Sequence, residues 1–330
     1  MAKPKVFVSR IIPEKGQKMI TDACDAEIWQ DDQPTPRAVL LEKIKDCEGL
    51  LCLLTEKIDA ELLDAAPKLK VVANLAVGFD NIDVPECTKR GVLIGNTPGV
   101  LTETTADFAF TLLMATARRV VEGDNYTRAG KWLTWGPMIL VGQDIHHATL
   151  GLIGLGRIGS EMAKRAKGFS MKVMYYDPFR REDLEKELGL VYADLDTILR
   201  ESDFVSIHVP LMKETHHLMN AENFKKMKKT AILINSARGP IVDTMALNDA
   251  LRAGTIGGAG LDVTDPEPIP MDHPLLGAPN CVIAPHIASG SVNTRSNMSI
   301  MAAQNILAGL TGADMPAPVN QADVRKAAKK

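Results

Sequence analysis

A turn with regularly spaced glycines, set between two apolar runs, constrains the fold of this 330-residue chain more than any other feature. The first run is Leu150–Ile153, the second is Val173–Tyr176, and between them lie Gly154, Gly156 and Gly159, followed by a helical pattern. This is the order of a strand, a tight turn, a helix and a second parallel strand. Glycines at this spacing permit the turn, let the backbone approach a pyrophosphate, and allow the helix to pack closely on the strand. The segment therefore predicts a βαβ unit that binds a dinucleotide.

Asp177 ends the second apolar run. A carboxylate about 20 residues after such glycines suits hydrogen bonds to both hydroxyls of an adenosine ribose, and it repels a 2′-phosphate. Arg180 and Arg181 follow, and they could either neutralise a phosphate or be solvated charges at the start of a loop. The sequence favours NAD(H) as the cofactor and leaves NADP(H) possible.

Length and composition indicate a globular enzyme of two domains, because 330 residues exceed what one hydrophobic core usually serves. A net charge of −3 gives no electrostatic reason to bind nucleic acid or an anionic membrane. No apolar run is long enough to span a bilayer, and the sequence starts without an apolar signal core. The five cysteines form no CxxC pair. We expect a cytoplasmic protein with reduced thiols, no membrane or nucleic-acid partner, and no metal site.

The rest of the chain alternates apolar strand patterns with helical ones, which is typical of an open α/β fold. Strands are expected at residues 6–9, 50–53, 69–74, 204–209, 231–235, 257–262 and 281–284. The charged tail, Asp323–Lys330, is expected to be frayed.

Polar side chains suited to chemistry follow three of the predicted strands. Arg238 could hold a carboxylate through two parallel hydrogen bonds, or form an ordinary surface ion pair. Asp262 ends a strand, and Glu267 lies between two prolines. His286 follows the last strand, and histidine is the natural proton donor when hydride adds to a ketone, with Glu267 able to fix its tautomer. Taken singly, each residue is equally consistent with a structural role.

Several long motifs occur together and in order: NLAVGFDNID, NTPGVLTETTADFAF, GLGRIG, NSARGPIVD, GLDVTDPEP and APHIASG. With Asp177, they resemble the D-isomer-specific 2-hydroxyacid dehydrogenase family, and within it most closely the glyoxylate and hydroxypyruvate reductases. The resemblance implies an α/β protein with two Rossmann-like domains and an active site in the cleft between them. The flavodoxin-like substrate domain would comprise residues 1–100 and 287–330, and the NAD-binding domain residues 101–286.

The resemblance also implies site residues. Arg238 would bind the substrate carboxylate and carbonyl, His286 would be the general acid, and Glu267 its hydrogen-bonded partner. Asp262 would meet the nicotinamide carboxamide. The implied cofactor contacts are Thr105, Gly154, Gly156, Arg157, Ile158, Gly159, Asp177, Val209, Pro210, Ala237, Arg238, Asp262 and His286. The implied substrate contacts are Leu53, Val77, Gly78, Arg238 and His286.

The reaction implied is NADH-dependent reduction of a small 2-keto acid, either glyoxylate to glycolate or hydroxypyruvate to D-glycerate. A 3-phosphoglycerate or D-lactate type of dehydrogenase stays open, as does an NAD-linked scaffold like the co-repressors that share this fold. Val77 counts against phosphite dehydrogenases, which have lysine there, and Glu267 counts against formate dehydrogenases, which have glutamine. The segment Trp132–Gly142 resembles an arm that crosses to a second subunit, with core packing as the alternative. A homodimer is expected.

Overall fold

A computed structural model of the chain describes residues 2–327. They form two compact units: the described residues up to Leu101 together with those from Gly290 onward, and Thr102–Ser289. Each unit is built on one parallel β-sheet with helices packed against it. The prediction of an α/β protein with two Rossmann-like sheets is confirmed. Within residues 2–327 no helix combines the length and the apolar character needed to cross a bilayer.

The sheet of the first unit has five strands in the order β2-β1-β3-β4-β5, which is the flavodoxin-like order. Strands β3 and β4 are buried along their whole length, as expected for parallel strands covered on both faces. In chain order the elements are β1 (Lys5–Val8), α1 (Glu14–Ala23), β2 (Asp25–Ile28), α2 (Arg37–Lys43), β3 (Gly49–Cys52), α3 (Ala60–Ala65), β4 (Val71–Asn74), α4 (Val84–Lys89) and β5 (Leu93–Gly95).

The second unit holds a seven-stranded sheet. Its strands are β6 (Thr149–Ile153), β7 (Lys172–Tyr176), β8 (Val191–Tyr192), β9 (Phe204–Ile207), β10 (Ile232–Asn235), β11 (Gly258–Leu261) and β12 (Cys281–Ile283). Its helices are α5 (Thr102–Ala117), α6 (Val120–Arg128), α7 (Arg157–Lys167), α8 (Glu182–Leu188), α9 (Leu195–Glu201), α10 (Ala221–Lys226) and α11 (Thr244–Arg252), with 3₁₀ turns at Gly239–Ile241 and Pro274–Gly277.

The strand order β12-β11-β10-β9-β6-β7-β8 fixes where a ligand can bind. The chain runs from β6 through β7 to β8 on one side, then returns to β9 on the other side of β6 and continues outward. The reversal leaves a crevice at the carboxyl ends of β6 and β9, which is where open α/β sheets bind ligands.

The chain then returns to the first unit as α12 (Val292–Thr311) and α13 (Gln321–Ala327). Helix α12 packs along α1, where a Cβ at Gly16 would lie 2.2 Å from the Ser299 carbonyl oxygen, so glycine lets the backbones of the two helices come close together. The expectation of a frayed tail is wrong up to Ala327, because α13 packs against α4 and β5. The last three residues of the tail, 328–330, lie outside the described part of the chain.

Candidate active site

The residues expected to act chemically follow three neighbouring strands of the second unit. Arg238 comes after β10, Asp262 and Glu267 after β11, and His286 after β12. Because these strands are parallel, their carboxyl ends share one edge of the sheet. The fold therefore gathers at one edge four side chains that are up to 48 positions apart in the sequence.

The Arg238 loop is braced by the amide side chain of Asn235 at the end of β10. The Asn235 Nδ2 donates to the Arg238 carbonyl oxygen at 2.8 Å, and its Oδ1 accepts from the Ala237 amide at 3.0 Å. A Cβ at Gly239 would lie 1.8 Å from the carbonyl oxygen of Thr264. Glycine at this position therefore lets the loop that carries Glu267 lie against the loop that carries Arg238.

His286 and Glu267 form a direct pair, with 2.6 Å between the histidine Nδ1 and the Glu267 Oε1. The His286 backbone has φ of 55°, a conformation that is uncommon for a residue with a side chain and needs support from its surroundings. That support comes from the segment around β11, since the His286 amide donates to the Asp262 carbonyl oxygen at 2.8 Å. The pairing leaves the histidine Nε2 as the nitrogen that can exchange a proton.

Asp262 holds the loop that follows His286. Its buried carboxylate accepts from the amides of Ile287 at 2.7 Å and Ala288 at 2.8 Å. Burial raises the pKa of Asp262, while the two amide hydrogen bonds and the nearby His286 act to lower it. In the structure Asp262 therefore fixes the loop after His286, and its contact with the nicotinamide carboxamide stays a prediction.

The glycine turn follows β6 at the crevice. Gly154 has φ of 98°, and a Cβ there would lie 2.9 Å from the His208 backbone, whereas a Cβ at Gly156 would meet nothing within 4 Å. The first hydrogen bond of α7 runs from the Ser160 amide to the Gly156 carbonyl oxygen, at 3.0 Å. The amides that come before Ser160 therefore have no acceptor within the helix. Such amides, with the positive end of the helix dipole, favour an anion at this point.

Asp177 lies at the end of β7 and faces the same turn. Its Oδ2 accepts from the Leu155 amide at 2.8 Å and its Oδ1 from the Phe179 amide at 2.9 Å. Two hydrogen bonds leave acceptor capacity on a carboxylate, which has about four lone-pair sites. Val209 also reaches the turn, since its Cγ1 would lie 3.0 Å from a Cβ at Gly154.

Comparison with known proteins shows which family the chain belongs to. Residues 110–288 match the family model described as "D-isomer specific 2-hydroxyacid dehydrogenase, NAD binding domain". The glyoxylate reductase of Korarchaeum cryptofilum is 56% identical over 324 residues, which cover 98% of each chain. The chain belongs to the D-isomer-specific 2-hydroxyacid dehydrogenase family.

Solved structures are similar to this dehydrogenase over nearly its whole length. The TT0316 protein of Thermus thermophilus superposes with a TM-score of 0.90 at 45% identity, covering 96% of this chain and 99% of that one. The NADPH-dependent glyoxylate/hydroxypyruvate reductase of Sinorhizobium meliloti, in complex with NADP and malonate, gives a TM-score of 0.86 at 33% identity and covers 97% and 98%.

The first unit of the dehydrogenase carries the predicted substrate residues Leu53, Val77 and Gly78 on two loops. Asn96 and Asn74 donate to the carbonyl oxygens of Val77 and Gly78, both at 2.8 Å. Within the described residues neither the Val77 nor the Gly78 amide donates to an acceptor. Fixed carbonyls and available amides suit an anion-binding turn. The role of these residues toward a substrate stays a prediction.

Two residues that the sequence did not single out shape the Leu53 loop. The buried carboxylate of Glu56 accepts from the Leu53 amide at 2.7 Å and from the Ser9 hydroxyl at 2.6 Å. Asn81 donates to the carbonyl oxygens of Leu53 at 3.0 Å and Glu56 at 2.9 Å. Asn81 also accepts from Asn74 at 3.2 Å, so the two predicted substrate loops share one set of amide hydrogen bonds.

The other predicted cofactor contacts lie in the second unit. Thr105 is buried in the first turn of α5, and Pro210 follows β9, where its carbonyl oxygen accepts from the Thr215 hydroxyl at 2.7 Å. Arg157 and Ile158 open α7. Among residues 2–327 no cluster of three or more histidine, cysteine, aspartate or glutamate side chains is placed to hold a metal ion.

The segment Trp132–Gly142 does not pack into the core of its own unit. Its apolar side chains are between 63% and 90% exposed at Trp132, Leu133, Trp135 and Met138. Of the two interpretations offered by the sequence, packing inside the chain is therefore excluded for these four side chains.

Proposed function

We propose that this dehydrogenase uses NADH to reduce a small 2-keto acid, either glyoxylate or hydroxypyruvate, to the corresponding 2-hydroxy acid. The observation that carries the proposal is the 2.6 Å pair of His286 and Glu267, at the sheet edge that also carries Arg238. Reduction of a 2-keto acid needs a proton donor for the carbonyl oxygen and a cation for the substrate carboxylate. His286, held by Glu267, can be the donor, and the Arg238 guanidinium can be the cation.

The residues of the second unit fit a dinucleotide cofactor. The space where a side chain at Gly156 would lie is open, and the first amides of α7, which follow it directly, have no acceptor within the helix. A pyrophosphate placed there would receive backbone hydrogen bonds and the positive end of the helix dipole. Asp177 would accept hydrogen bonds from the hydroxyls of the adenosine ribose.

The chain's own side chains would do the proton chemistry. When bound, the reduced nicotinamide supplies the hydride to the α-carbon. Arg238 would bind the substrate carboxylate with two parallel hydrogen bonds and so orient the carbonyl. His286 would donate its Nε2 proton to the carbonyl oxygen as that oxygen gains negative charge, while Glu267 holds the other nitrogen. In the reverse direction the same nitrogen would accept the proton of the hydroxyl.

We infer a preference for NADH over NADPH from Asp177. The Sinorhizobium meliloti relative is NADPH-dependent at 33% identity, so the family includes both preferences. A carboxylate bonded to the Leu155 amide at the ribose position would repel the second charge of a 2′-phosphate.

We further propose that the enzyme is a homodimer in the cytoplasm. The exposed side chains of Trp132, Leu133, Trp135 and Met138 form an apolar arm that a second copy of the chain would cover. The five cysteines are free thiols, four of them buried, which suits a reducing compartment. Analytical ultracentrifugation of the wild type and of Trp135→Ser tests the dimer. We expect a weaker dimer in the variant, with a larger dissociation constant, and equal dissociation constants would contradict the role of this segment in the dimer interface.

The reaction is tested by initial rates of NADH and NADPH oxidation with glyoxylate, hydroxypyruvate, pyruvate and 3-phosphohydroxypyruvate at matched concentrations. We expect the highest kcat/KM with NADH and either glyoxylate or hydroxypyruvate. Faster turnover of pyruvate or 3-phosphohydroxypyruvate would instead favour a D-lactate or phosphoglycerate type of enzyme. If no keto acid reacted while NADH still bound, a scaffold role would replace the proposal.

A further inference from the structure

The two arginines that follow Asp177 are each held by a carboxylate of helix α8. Arg180 donates through Nε and Nη2 to the two oxygens of Glu185, at 2.8 and 2.9 Å. Arg181 donates in the same two-pronged way to Asp183, at 3.0 and 2.8 Å. Both guanidinium groups thus turn toward a carboxylate of the same chain the edge that would otherwise bind a phosphate, although the Arg181–Asp183 pair is exposed to solvent.

The Glu185 carboxylate accepts a hydrogen bond from the sheet as well as from Arg180. The hydroxyl of Tyr175, whose ring is buried in β7, donates to Glu185 at 2.7 Å and accepts from the Arg181 amide at 2.8 Å. The Arg180 hydrogen bond and then the Tyr175 hydroxyl lower the pKa of Glu185 to about 2. The Arg180 guanidinium also lies 5.5 Å from the centre of the Tyr192 ring. The Glu185 carboxylate is therefore tied to the sheet, while the Arg180 side chain that pairs with it is 55% exposed.

Arg181 comes four residues after Asp177, and the short segment between them folds back on Asp177 because the Phe179 amide donates to its Oδ1 at 2.9 Å. Its position is therefore close to the ribose site that the proposed function assigns to Asp177. A free arginine at this position is the group that would attract a 2′-phosphate. Paired with Asp183, the same arginine brings no net positive charge to the site.

We propose that Asp183 and Glu185 are specificity determinants, which hold Arg181 and Arg180 in internal ion pairs and thereby deny a 2′-phosphate its cation. The inference rests on the proposed function, because it needs the adenosine ribose to lie at Asp177. Rejection of NADPH then has two parts: Asp177 repels the phosphate, and the two carboxylates of α8 withhold the arginines that would compensate.

Affinities measured by fluorescence titration of the whole protein with NADH and with NADPH separate the two parts without relying on turnover. The test compares wild type, Asp177→Ala, and Asp177→Ala combined with Asp183→Asn and Glu185→Gln. Amides keep the size of both side chains, and an amide oxygen can still accept from Tyr175. Glu182→Gln in the Asp177→Ala background is the matched control, because Glu182 begins the same helix yet bonds to neither arginine within the described residues.

We expect Asp177→Ala to bring the Kd values for NADH and NADPH within about threefold of each other, without tight NADPH binding. Adding Asp183→Asn and Glu185→Gln should tighten NADPH by about tenfold, as one charge-assisted contact to phosphate would, and leave NADH unchanged. Glu182→Gln should leave both affinities as they are in Asp177→Ala. Should Glu185→Gln lower stability, Asp183→Asn alone in that background still tests Arg181.

Two results would overturn the inference while leaving the proposed function intact. One is an Asp177→Ala variant that already binds NADPH about tenfold tighter than NADH, because the arginines would then be available as they stand. The other is an amide variant that gains no NADPH affinity beyond Glu182→Gln. A wild type that binds both cofactors equally, with no effect of Asp177→Ala, would instead refute the ribose assignment, and with it both the NADH preference inferred from Asp177 and the role given to Asp183 and Glu185.

Discussion

Replacing Gly156 by alanine separates cofactor binding from folding, because a side chain there would meet no atom of the protein. A Cβ at Gly156 has nothing within 4 Å, and the residue has φ of −74°, which alanine adopts freely. The free energy of unfolding should therefore stay within about 1 kcal/mol of wild type, since the lost N-cap preference and the reduced chain entropy of the unfolded state oppose each other.

The added methyl group would occupy the space through which a pyrophosphate approaches the start of α7. Loss of one charge-assisted hydrogen bond from a backbone amide costs about 1.5–3 kcal/mol. We therefore expect the Kd for NADH to rise about 10- to 150-fold in Gly156→Ala. NADH fluorescence titration and urea unfolding on the same preparation measure the two quantities.

Gly159→Ala is the matched comparison, three positions further along the same turn. Its Cβ would lie 2.2 Å from the Gly154 carbonyl oxygen, so the turn must move by about 1 Å to reach ordinary contact. Overpacking of this kind costs about 1–3 kcal/mol of stability, and the displaced turn should weaken NADH as well. If Gly156→Ala bound NADH like wild type, or lost as much stability as Gly159→Ala, the assignment of this turn to the pyrophosphate would be refuted.

Three further substitutions test the site and its support. Glu267→Gln should lower kcat for keto-acid reduction about tenfold. The 2.6 Å hydrogen bond between His286 and Glu267, whose side chains are 31% and 40% exposed, contributes about 1.5 kcal/mol after solvent screening. An unchanged kcat would remove Glu267 from the mechanism. Arg238→Lys should lower kcat/KM about 30-fold or more in the same assay, since an ammonium group cannot bind a carboxylate through two parallel bonds, and near-normal kinetics would exclude Arg238 from substrate binding. Burial lowers the pKa of His208 from 6.5 to about 4, so the stability that depends on its neutral form is complete above pH 6.5 and is lost as the pH falls toward 4. Urea unfolding at pH 7.5 and pH 5 should therefore show a smaller loss of stability in His208→Gln than in wild type, and equal losses would contradict a histidine held neutral at this partly buried position.

The sequence predicted the parts of this fold that depend on local pattern. The glycine spacing and the unbroken apolar runs identify β6, α7 and β7, because parallel strands covered on both faces have nearly continuous apolar sequences. It missed β2, Asp25–Ile28, whose alternating exposed residues belong to an edge strand and resemble a loop in composition.

The sequence predicts the site residues that follow apolar strands. It does not show the residues whose role depends on a contact with a segment far away in the sequence. Arg238, Glu267 and His286 follow apolar runs, so their neighbourhood could be inferred from parallel topology. By contrast, the need for glycine at position 239 arises from the Thr264 carbonyl oxygen, and a single sequence does not show such a pair. The bracing by Asp262 and the amide bonds of Asn81 were missed for the same reason.

The most direct test of the account is the identity of the product formed from hydroxypyruvate and NADH by the purified wild-type protein. The site predicts D-glycerate in a one-to-one ratio with the NADH consumed, with His286→Ala forming little product while still binding NADH. Oxidation of NADH without glycerate, formation of the L-isomer, or full activity in His286→Ala would contradict it.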